Sequence, residues 1–256
     1  VMIKREEYLK KIRPFMSKEI VKVLTGIRRC GKSVMLELIK EDLISQGIKK
    51  ENFFSVNFET GAVSYVKSLE ETYEFAAKRK EKIYLFFDEI QELPHWEKLI
   101  NSIMIDFDAD IYITGSNAKM LSGELATYLG GRYVEFKIYP FSFAEVLQML
   151  PDKPEAEVFQ TYLTKGGMPF LYQFPFDEIS SKQYLCDIYD SIVLKDIVQR
   201  NKIRDMEQFK RVLLYFIAEI GHTFSADNIM KYMKSEKRTV SSETLYNYID
   251  YCKTAC

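Results

Sequence analysis

Five short apolar runs, rich in β-branched and aromatic residues, alternate with helix-length segments along the first 138 residues. The runs lie at residues 20–26, 53–59, 82–89, 110–116 and 132–138. Amphipathic segments, with apolar residues at three- and four-residue spacing, lie at residues 33–47, 63–80 and 96–107. Strands separated by helix-length crossovers favour a mostly parallel sheet. The alternation therefore predicts an α/β fold with a five-stranded parallel sheet.

The pattern changes after Pro140, where the apolar segments have helical spacing. They include FSFAEVLQML, EAEVFQTYLTKGG, ISSKQYLCDIYDSIVLKDIV and MEQFKRVLLYFIAEIG. The PDKP sequence at 151–154 predicts a turn between two of them. We therefore expect a sheet core at 1–139, a helical region at 140–204 and a further helical segment at 205–256.

Composition excludes several classes of protein. The net charge of −1 is not that of a polycation, so any nucleic-acid binding must come from a local patch. No apolar stretch approaches the roughly 18–20 residues that a membrane span needs. The four cysteines form no CxxC pair, which argues against a disulfide framework or zinc site and favours a reducing, cytoplasmic location. With two histidines in the chain, histidine-based catalysis is not expected.

The sequence GIRRCGKS at 26–33 matches the phosphate-binding pattern GxxxxGK[ST], between a predicted strand and a predicted helix. In such a loop the glycines let the backbone bend around phosphates, the lysine reaches the β- and γ-phosphates, and the serine binds Mg²⁺. The pattern therefore predicts an ATP and Mg²⁺ site. We expect nucleotide contacts from Gly26, Ile27, Arg28, Arg29, Cys30, Gly31, Lys32, Ser33 and Val34.

Acidic and polar residues follow two other predicted strands. Asp88 and Glu89 end the run IYLFF, where Asp88 is expected to bind Mg²⁺ and Glu89 to polarise the attacking water. After the fourth run, Ser116 or Asn117 is placed to sense the γ-phosphate or the lytic water. The residues do not separate these two, and either is also suited to begin a helix.

Five segments together resemble a known family, namely GIRRCGKS, IYLFFDEIQ, YITGSNAKML, GGRYVEFKIYPFSFAEVL and GGMP. They look like bacterial and archaeal AAA-type ATPases that end in a domain of unknown function. This family belongs to the P-loop ATPases of the additional-strand catalytic-glutamate class and is related to archaeal and signal-transduction ATPases. The resemblance implies strand order 5-1-4-3-2, a helical lid at 140–204 and a winged helix from 205 onward.

The resemblance also implies roles for single residues. Arg132, before the fifth strand, corresponds to an arginine finger that enters a neighbouring subunit's site, and a surface arginine is the alternative. Asn57 corresponds to a polar residue that restrains the catalytic glutamate, with a strand-end turn residue as the alternative. Pro169, in Gly167-Met168-Pro169, corresponds to a lid element against the nucleotide base, with an ordinary turn as the alternative.

The C-terminal segment is expected to form a helix-turn-helix, with Ser225 and either Ser241 or Ser242 as N-caps. Residues 195–240 hold ten Lys or Arg against six Asp or Glu, a local bias suited to DNA phosphates. Thr244, Tyr246 and Asn247 are the candidate contacts, and a packing or oligomer module is the alternative. The chain stops soon after, so we expect the winged helix to be truncated.

These expectations define one interpretation and two alternatives. The first is a Mg²⁺-dependent ATPase in which Lys32, Glu89, Asn117 and Arg132 take part in catalysis, as a possible homo-oligomer. The second is a nucleotide-gated switch with little turnover that exposes the winged helix to DNA or a protein client. The third is a DNA-binding regulator with a vestigial site. Cys30 adds a further alternative, a reactive thiol beside Arg28, Arg29 and Lys32, against simple packing under the loop.

Overall fold

The computed structural model describes residues 3–60, 64–115, 129–173, 175, 177–223 and 225–255. Its strands are β1 (Val21–Thr25), β2 (Phe53–Asn57), β3 (Ile83–Asp88), β4 (Ala109–Gly115) and β5 (Tyr133–Lys137). Its helices are α1 (Glu6–Ile12), α2 (Lys32–Ser45), α3 (Tyr65–Ala77), α4 (Trp96–Asp106), α5 (Phe143–Met149), α6 (Glu155–Lys165), α7 (Glu178–Ser191), α8 (Met206–Ala218), α9 (Ala226–Ser235) and α10 (Ser242–Ala255). At its carboxyl end α7 continues into a π-helical segment, Ile192–Gln199.

The described strands form one parallel sheet in the order β2-β3-β4-β1-β5. In the centre, Val23 of β1 pairs with Ile113 of β4 and with Glu135 of β5. This arrangement confirms the predicted α/β fold, including its strand order. Because all strands run the same way, the residues that follow β1, β3 and β4 meet at the carboxyl end of the sheet.

Helices cover the sheet on both faces. On one face, α1 and α2 pack on side chains such as Leu24 and Phe86. On the other face, α3 and α4 pack on the alternate side chains, such as Val23 and Phe87. All residues of β1, β3 and β4 are buried, which explains why these strands appear in the sequence as mainly apolar runs. The two charged residues inside β1 and β4, Lys22 and Asp110, form a buried ion pair.

One helix was not expected, whereas two helices begin at N-cap residues that were expected. Helix α1, whose side chains Leu9 and Ile12 are fully buried, was not predicted from the sequence. Ser225 caps α9 by accepting a hydrogen bond from the amide of Asn228 at 3.2 Å. Ser241, and not Ser242, caps α10, because its hydroxyl accepts from the amide of Thr244 at 3.1 Å.

The chain divides into two compact units, of which the first ends at Gln183 and the second begins at Tyr184. The second unit has its own core, made by Val193, Ile197, Phe209, Val212, Ile229, Met233, Leu245 and Tyr248. Its described residues are helical and include no strand, so the winged helix stays a prediction, as do the expected core, lid and winged-helix boundaries. Of the helices in the described ranges, none has the length and apolar character to cross a membrane.

Candidate active site

The loop at residues 26–31, named the phosphate loop, joins β1 to α2 and depends on its two glycines. Gly26 has φ of +151°, and a Cβ there would lie 2.2 Å from the carbonyl oxygen of Ile138. Gly31 has φ of +102° and immediately precedes the first residue of α2. Side chains at these positions would collide or strain the backbone, so the loop can take this tight path only with glycine.

Lys32, the first residue of α2, lies over the phosphate loop. Its ammonium donates to the carbonyl oxygens of Gly26 and Ile27, both at 3.2 Å. The same group lies 3.3 Å from Oε1 of Glu89, although only 4% of the residue is exposed. The phosphate loop and the acidic end of β3 are therefore joined through one buried cation.

Asp88, the last residue of β3, is held by side chains from both neighbouring strands. The hydroxyl of Thr114 in β4 donates to Oδ1, and Nδ2 of Asn57 in β2 donates to Oδ2 at 3.2 Å. These two contacts fix the carboxylate from opposite sides. Asn57, expected to restrain Glu89, donates its side-chain amide to the preceding acid, Asp88, and its restraint of Glu89 stays a prediction.

Glu89 adopts a left-handed backbone conformation, with φ of 49° and ψ of 48°. Such a conformation is uncommon for a residue other than glycine and is concentrated at functional sites. The amide of Glu89 donates to the hydroxyl of Thr114 at 2.9 Å. Its carboxylate accepts from the side-chain amide of Gln91 and pairs with Lys32. Thr114 thus holds the carboxylate of one acid and the backbone of the next.

Ser33 and Asp88 line the same cavity, of about 430 Å³, together with Val34 and Asn57. A hydroxyl and a carboxylate are hard oxygen ligands of the kind that Mg²⁺ takes, with phosphate and water oxygens completing its shell. The described residues contain no cluster of three or more His, Cys, Asp or Glu able to enclose a metal. The donor set therefore fits a metal ion shared with phosphates.

A second cavity, of about 370 Å³, lies beside the start of α2 and is mostly apolar. Its lining includes Ile3, Gly31, Val34, Phe141 and Pro169. The ring of Pro169 faces Gly31, since a Cβ on Gly31 would be in ordinary van der Waals contact with it, 4.0 Å from its Cγ. An apolar cavity next to a phosphate loop has the chemistry needed for a flat aromatic base.

The other predicted loop contacts differ in exposure. Ile27 and Arg28 are half-buried, whereas Arg29 is exposed. Cys30 is fully buried, and its burial raises the pKa of the thiol. A raised pKa opposes a reactive thiolate, so the structure favours packing as the role of Cys30.

Arg132 lies at the amino end of the strands, whereas the phosphate loop lies at their carboxyl end. It directly precedes Tyr133, which pairs with Val21 at the start of β1, whereas the phosphate loop follows the end of β1. Its guanidinium donates to Oδ1 of Asn101 at 3.3 Å. The structure therefore does not bring Arg132 together with Lys32 and Glu89 of the same chain.

Two predicted residues lie outside the described residues, namely Ser116 and Asn117. Conversely, sequence reasoning missed Thr114, although a hydroxyl residue in an otherwise apolar strand end was a usable signal. It also missed Arg5, whose side chain reaches the phosphate loop at the carbonyl of Cys30. No sequence pattern distinguished Arg5 from the other charged residues near it.

Two family models match the chain. Residues 18–147 match the family model of an AAA domain (AAA_14), and residues 156–255 match that of a domain of unknown function (DUF8612). The first match covers just over half of the chain, which therefore belongs to this AAA domain family. Membership confirms the predicted resemblance, and the AAA-type ATPase fold suggests nucleotide binding and hydrolysis.

Two relatives are longer than this chain. An uncharacterized protein of Haemophilus influenzae is 37% identical over 262 residues, covering 99% of this chain and 65% of the relative. Uncharacterized protein MJ1544 of Methanocaldococcus jannaschii is 30% identical over 249 residues, covering 92% of this chain and 55% of the relative. The chain thus spans less than two thirds of the length of either.

Solved structures with similar folds include the Aeropyrum pernix ORC1 protein in complex with DNA, with a TM-score of 0.47 and 15% identity over 98% of this chain and 83% of that one. AMPPCP-bound DnaA from Aquifex aeolicus gives a TM-score of 0.46 and 13% identity over 86% of this chain and 70% of that one. At these scores the likeness carries no further conclusion about this chain.

Proposed function

We propose that this chain binds ATP with Mg²⁺ and hydrolyses it. The proposal rests on the contact between the ammonium of Lys32 and the carboxylate of Glu89 at 3.3 Å. The contact lies at the carboxyl end of the sheet, where Asp88 and Ser33 line the same cavity. A phosphate-binding lysine, a metal-binding pair and a general base are the parts that ATP hydrolysis needs.

Each group has a separate task in this proposal. Lys32 binds the β- and γ-phosphates, while Ser33 and Asp88 hold the metal. Bound Mg²⁺ supplies positive charge to the β- and γ-phosphate oxygens. Glu89 orients the attacking water and takes up its proton. A phosphate competes with Glu89 for the ammonium of Lys32, so substrate binding releases the carboxylate for water.

The apolar cavity is proposed to hold the adenine base. Val34 and Pro169 provide its apolar walls beside the phosphate loop. Gly167 lies in the turn proposed as the lid element. Only glycine fits there, because a Cβ would lie 2.1 Å from the carbonyl oxygen of Phe141. This packing fixes the backbone two residues before Pro169, which supports the role of Pro169 as a base contact.

Glu89→Gln tests hydrolysis directly. The amide keeps the shape of the side chain but cannot accept a proton, so we expect turnover to fall by about 10²–10⁴-fold. ATP affinity should be retained, because Lys32 and the phosphate loop are intact. Steady-state phosphate release and calorimetric ATP binding measure the two quantities.

Glu92→Gln is the matched control, since Glu92 is an exposed glutamate three residues further along the chain. It should leave turnover unchanged. Equal turnover in the wild type and Glu89→Gln would remove Glu89 as the base. ATP binding with negligible turnover in the wild type would favour the alternative function, a nucleotide-gated switch.

A second candidate function, DNA binding by the second unit, is favoured by three exposed lysines. Lys231 and Lys234 lie three residues apart on α9, and Lys237 follows in the turn. The exposed side of α10 carries Glu243 and Asp250 beside Tyr246 and Asn247. We therefore assign phosphate contacts to the lysines rather than to α10.

Salt dependence tests this candidate. Three phosphate contacts predict that log K falls with log salt concentration at a slope of about −2.7. The triple variant Lys231→Ala, Lys234→Ala, Lys237→Ala should flatten the slope. Binding that does not respond to salt, or an unchanged slope in the variant, would exclude the assignment.

A further inference from the structure

Arg5, which the proposed chemistry does not use, links three parts of the first unit. It is 2% exposed and precedes α1. One terminal nitrogen donates to the carbonyl oxygen of Cys30 at 3.2 Å, and the other donates to that of Tyr139 at 2.8 Å. Its Nε donates to Oε1 of Glu145 at 2.7 Å. One cation therefore joins the phosphate loop, the segment after β5 and α5.

The surroundings of the guanidinium keep it in one place. It lies 4.5 Å from the ring centre of Tyr8 and 5.3 Å from that of Phe141. Glu145 is itself fixed, because it forms a capping box with Ser142 at the start of α5. A buried charge with this number of partners is well satisfied, and removing one partner is costly.

The contact with Cys30 determines the direction of a neighbouring amide. The carbonyl of Cys30 and the N–H of Gly31 belong to one planar trans peptide, so they point in opposite directions. Gly31 has φ of +102°, in a region where glycine gives the backbone freedom to rotate. Holding the carbonyl on the side of Arg5 therefore holds the N–H on the side facing away from Arg5.

We propose that Arg5 is a positioning residue that keeps the amide of Gly31 directed into the phosphate loop. The proposal rests on the proposed function for the identity of the anion, a nucleotide phosphate, but not for the contact itself. Because Arg5 also binds Glu145, the position of α5 affects the same peptide. Arg5 acts on the phosphate site through the backbone. Its side chain also lines the apolar cavity, so the test must read the Cys30-Gly31 peptide itself as well as nucleotide affinity.

The sequence offers a selective probe of this peptide. Cys30-Gly31 is the only Cys-Gly pair in the chain, so labelling cysteine with ¹³C at the carbonyl and glycine with ¹⁵N gives a single correlated NMR signal. The carbon shift reports the hydrogen bond from Arg5 without nucleotide. The amide proton shift reports phosphate binding when Mg²⁺ and ADP are added.

Arg5→Met should change the carbon shift and weaken ADP binding by about tenfold or more, as expected for loss of a charge-assisted hydrogen bond. Arg5→Lys keeps the charge but not the forked geometry, so it should fall between Arg5→Met and the wild type. Arg13→Met is the matched control, because Arg13 binds Glu6 and Asp42 and not the phosphate loop.

The outcomes separate the two proposals. If the amide proton shift of Gly31 in the wild type does not change when ADP is added, the proposed nucleotide site is overturned. The carbon shift of Cys30 in Arg5→Met then tests the role of Arg5 alone. A carbon shift and ADP affinity in Arg5→Met equal to those of the wild type would overturn the role of Arg5. If Arg5→Met does not fold, Arg5→Lys and Glu145→Gln decide in the same way.

Discussion

At the scale of single residues, one hydroxyl organises the acidic end of β3. Thr114 donates to the carboxylate of Asp88 and accepts from the amide of Glu89. It is fully buried, so bulk water cannot take its place as a hydrogen-bond partner of Asp88 and Glu89. Asp88, the proposed metal ligand, and Glu89, the proposed base, are thus held in a fixed relation by one buried hydroxyl.

We predict that Thr114→Val weakens the affinity for Mg²⁺, because valine keeps the shape of the side chain and removes the hydroxyl that orients Asp88. Loss of a group that orients a metal ligand typically lowers metal affinity or activity by about 10–100-fold. The Mg²⁺ concentration for half-maximal ATPase activity should rise by that factor. Thr72→Val is the control, since the Thr72 hydroxyl is buried in α3 and donates to the carbonyl oxygen of Ser68. An unchanged Mg²⁺ requirement in Thr114→Val would contradict the prediction.

At the scale of elements, Arg13 clamps α1 onto α2. Its guanidinium donates to the Asp42 carboxylate at 2.8 Å and also pairs with Glu6. Arg13 holds the pKa of Asp42 below its usual range, and the two carboxylates raise the pKa of Arg13. The clamp fixes the short α1, which follows Arg5, on the helix that begins at Lys32.

The clamp predicts a pH-dependent stability. Because the pKa of Asp42 is lowered in the folded state, its contribution is complete above the unfolded pKa of about 3.9 and is lost as pH falls through the folded pKa. At neutral pH, Asp42→Asn should lower the free energy of unfolding by about 1–2 kcal/mol. The difference from the wild type should shrink as the pH falls below about 4.

The measurement uses the fluorescence of Trp96, the only tryptophan in the chain, which packs in the core of the first unit. Denaturant titrations at several pH values give the free energies. Asp108→Asn is the control, because Asp108 is exposed and its pair with Lys82 lies at the surface, where such pairs contribute little. A difference for Asp42→Asn that stays constant down to pH 3 would contradict the clamp.

The elements also show what the sequence can predict. The strands were predictable because burial on both faces makes β3 and β4 mainly apolar, β-branched and aromatic runs. The seven-residue α1 was missed because its two buried side chains, Leu9 and Ile12, are too few to establish a helical period. Contacts between distant residues, such as Arg5 with Glu145, leave no local pattern, and they were found only from the fold.

At the scale of the whole molecule, the sheet separates Arg132 from the phosphate loop and acidic residues of its own chain. The residue lies at the amino end of β5, whereas Lys32 and Glu89 follow the carboxyl ends of β1 and β3. A catalytic role for Arg132 therefore requires a second copy of the chain. We propose that such a copy completes the site.

Subunit mixing tests this prediction. Lys32→Ala should lose ATP binding but keep Arg132, and Arg132→Ala should keep the site but lose the finger. A mixture should exceed the summed activity of the two variants, because an arginine finger contributes about 10³–10⁵-fold to the rate. The control mixes Arg132→Ala with a double variant that lacks both residues and should show no gain. Strictly additive activity in the first mixture would place Arg132 outside catalysis.

The order of the strands has a consequence for how the protein is made. β1 emerges from the ribosome well before its neighbours β4 and β5, which begin at Ala109 and Tyr133. Until translation has passed these residues, the strand that ends at the phosphate loop has no partner on either side. A nascent chain halted before residue 109 therefore carries the whole GIRRCGKS motif without the strand pairing that supports the proposed nucleotide site.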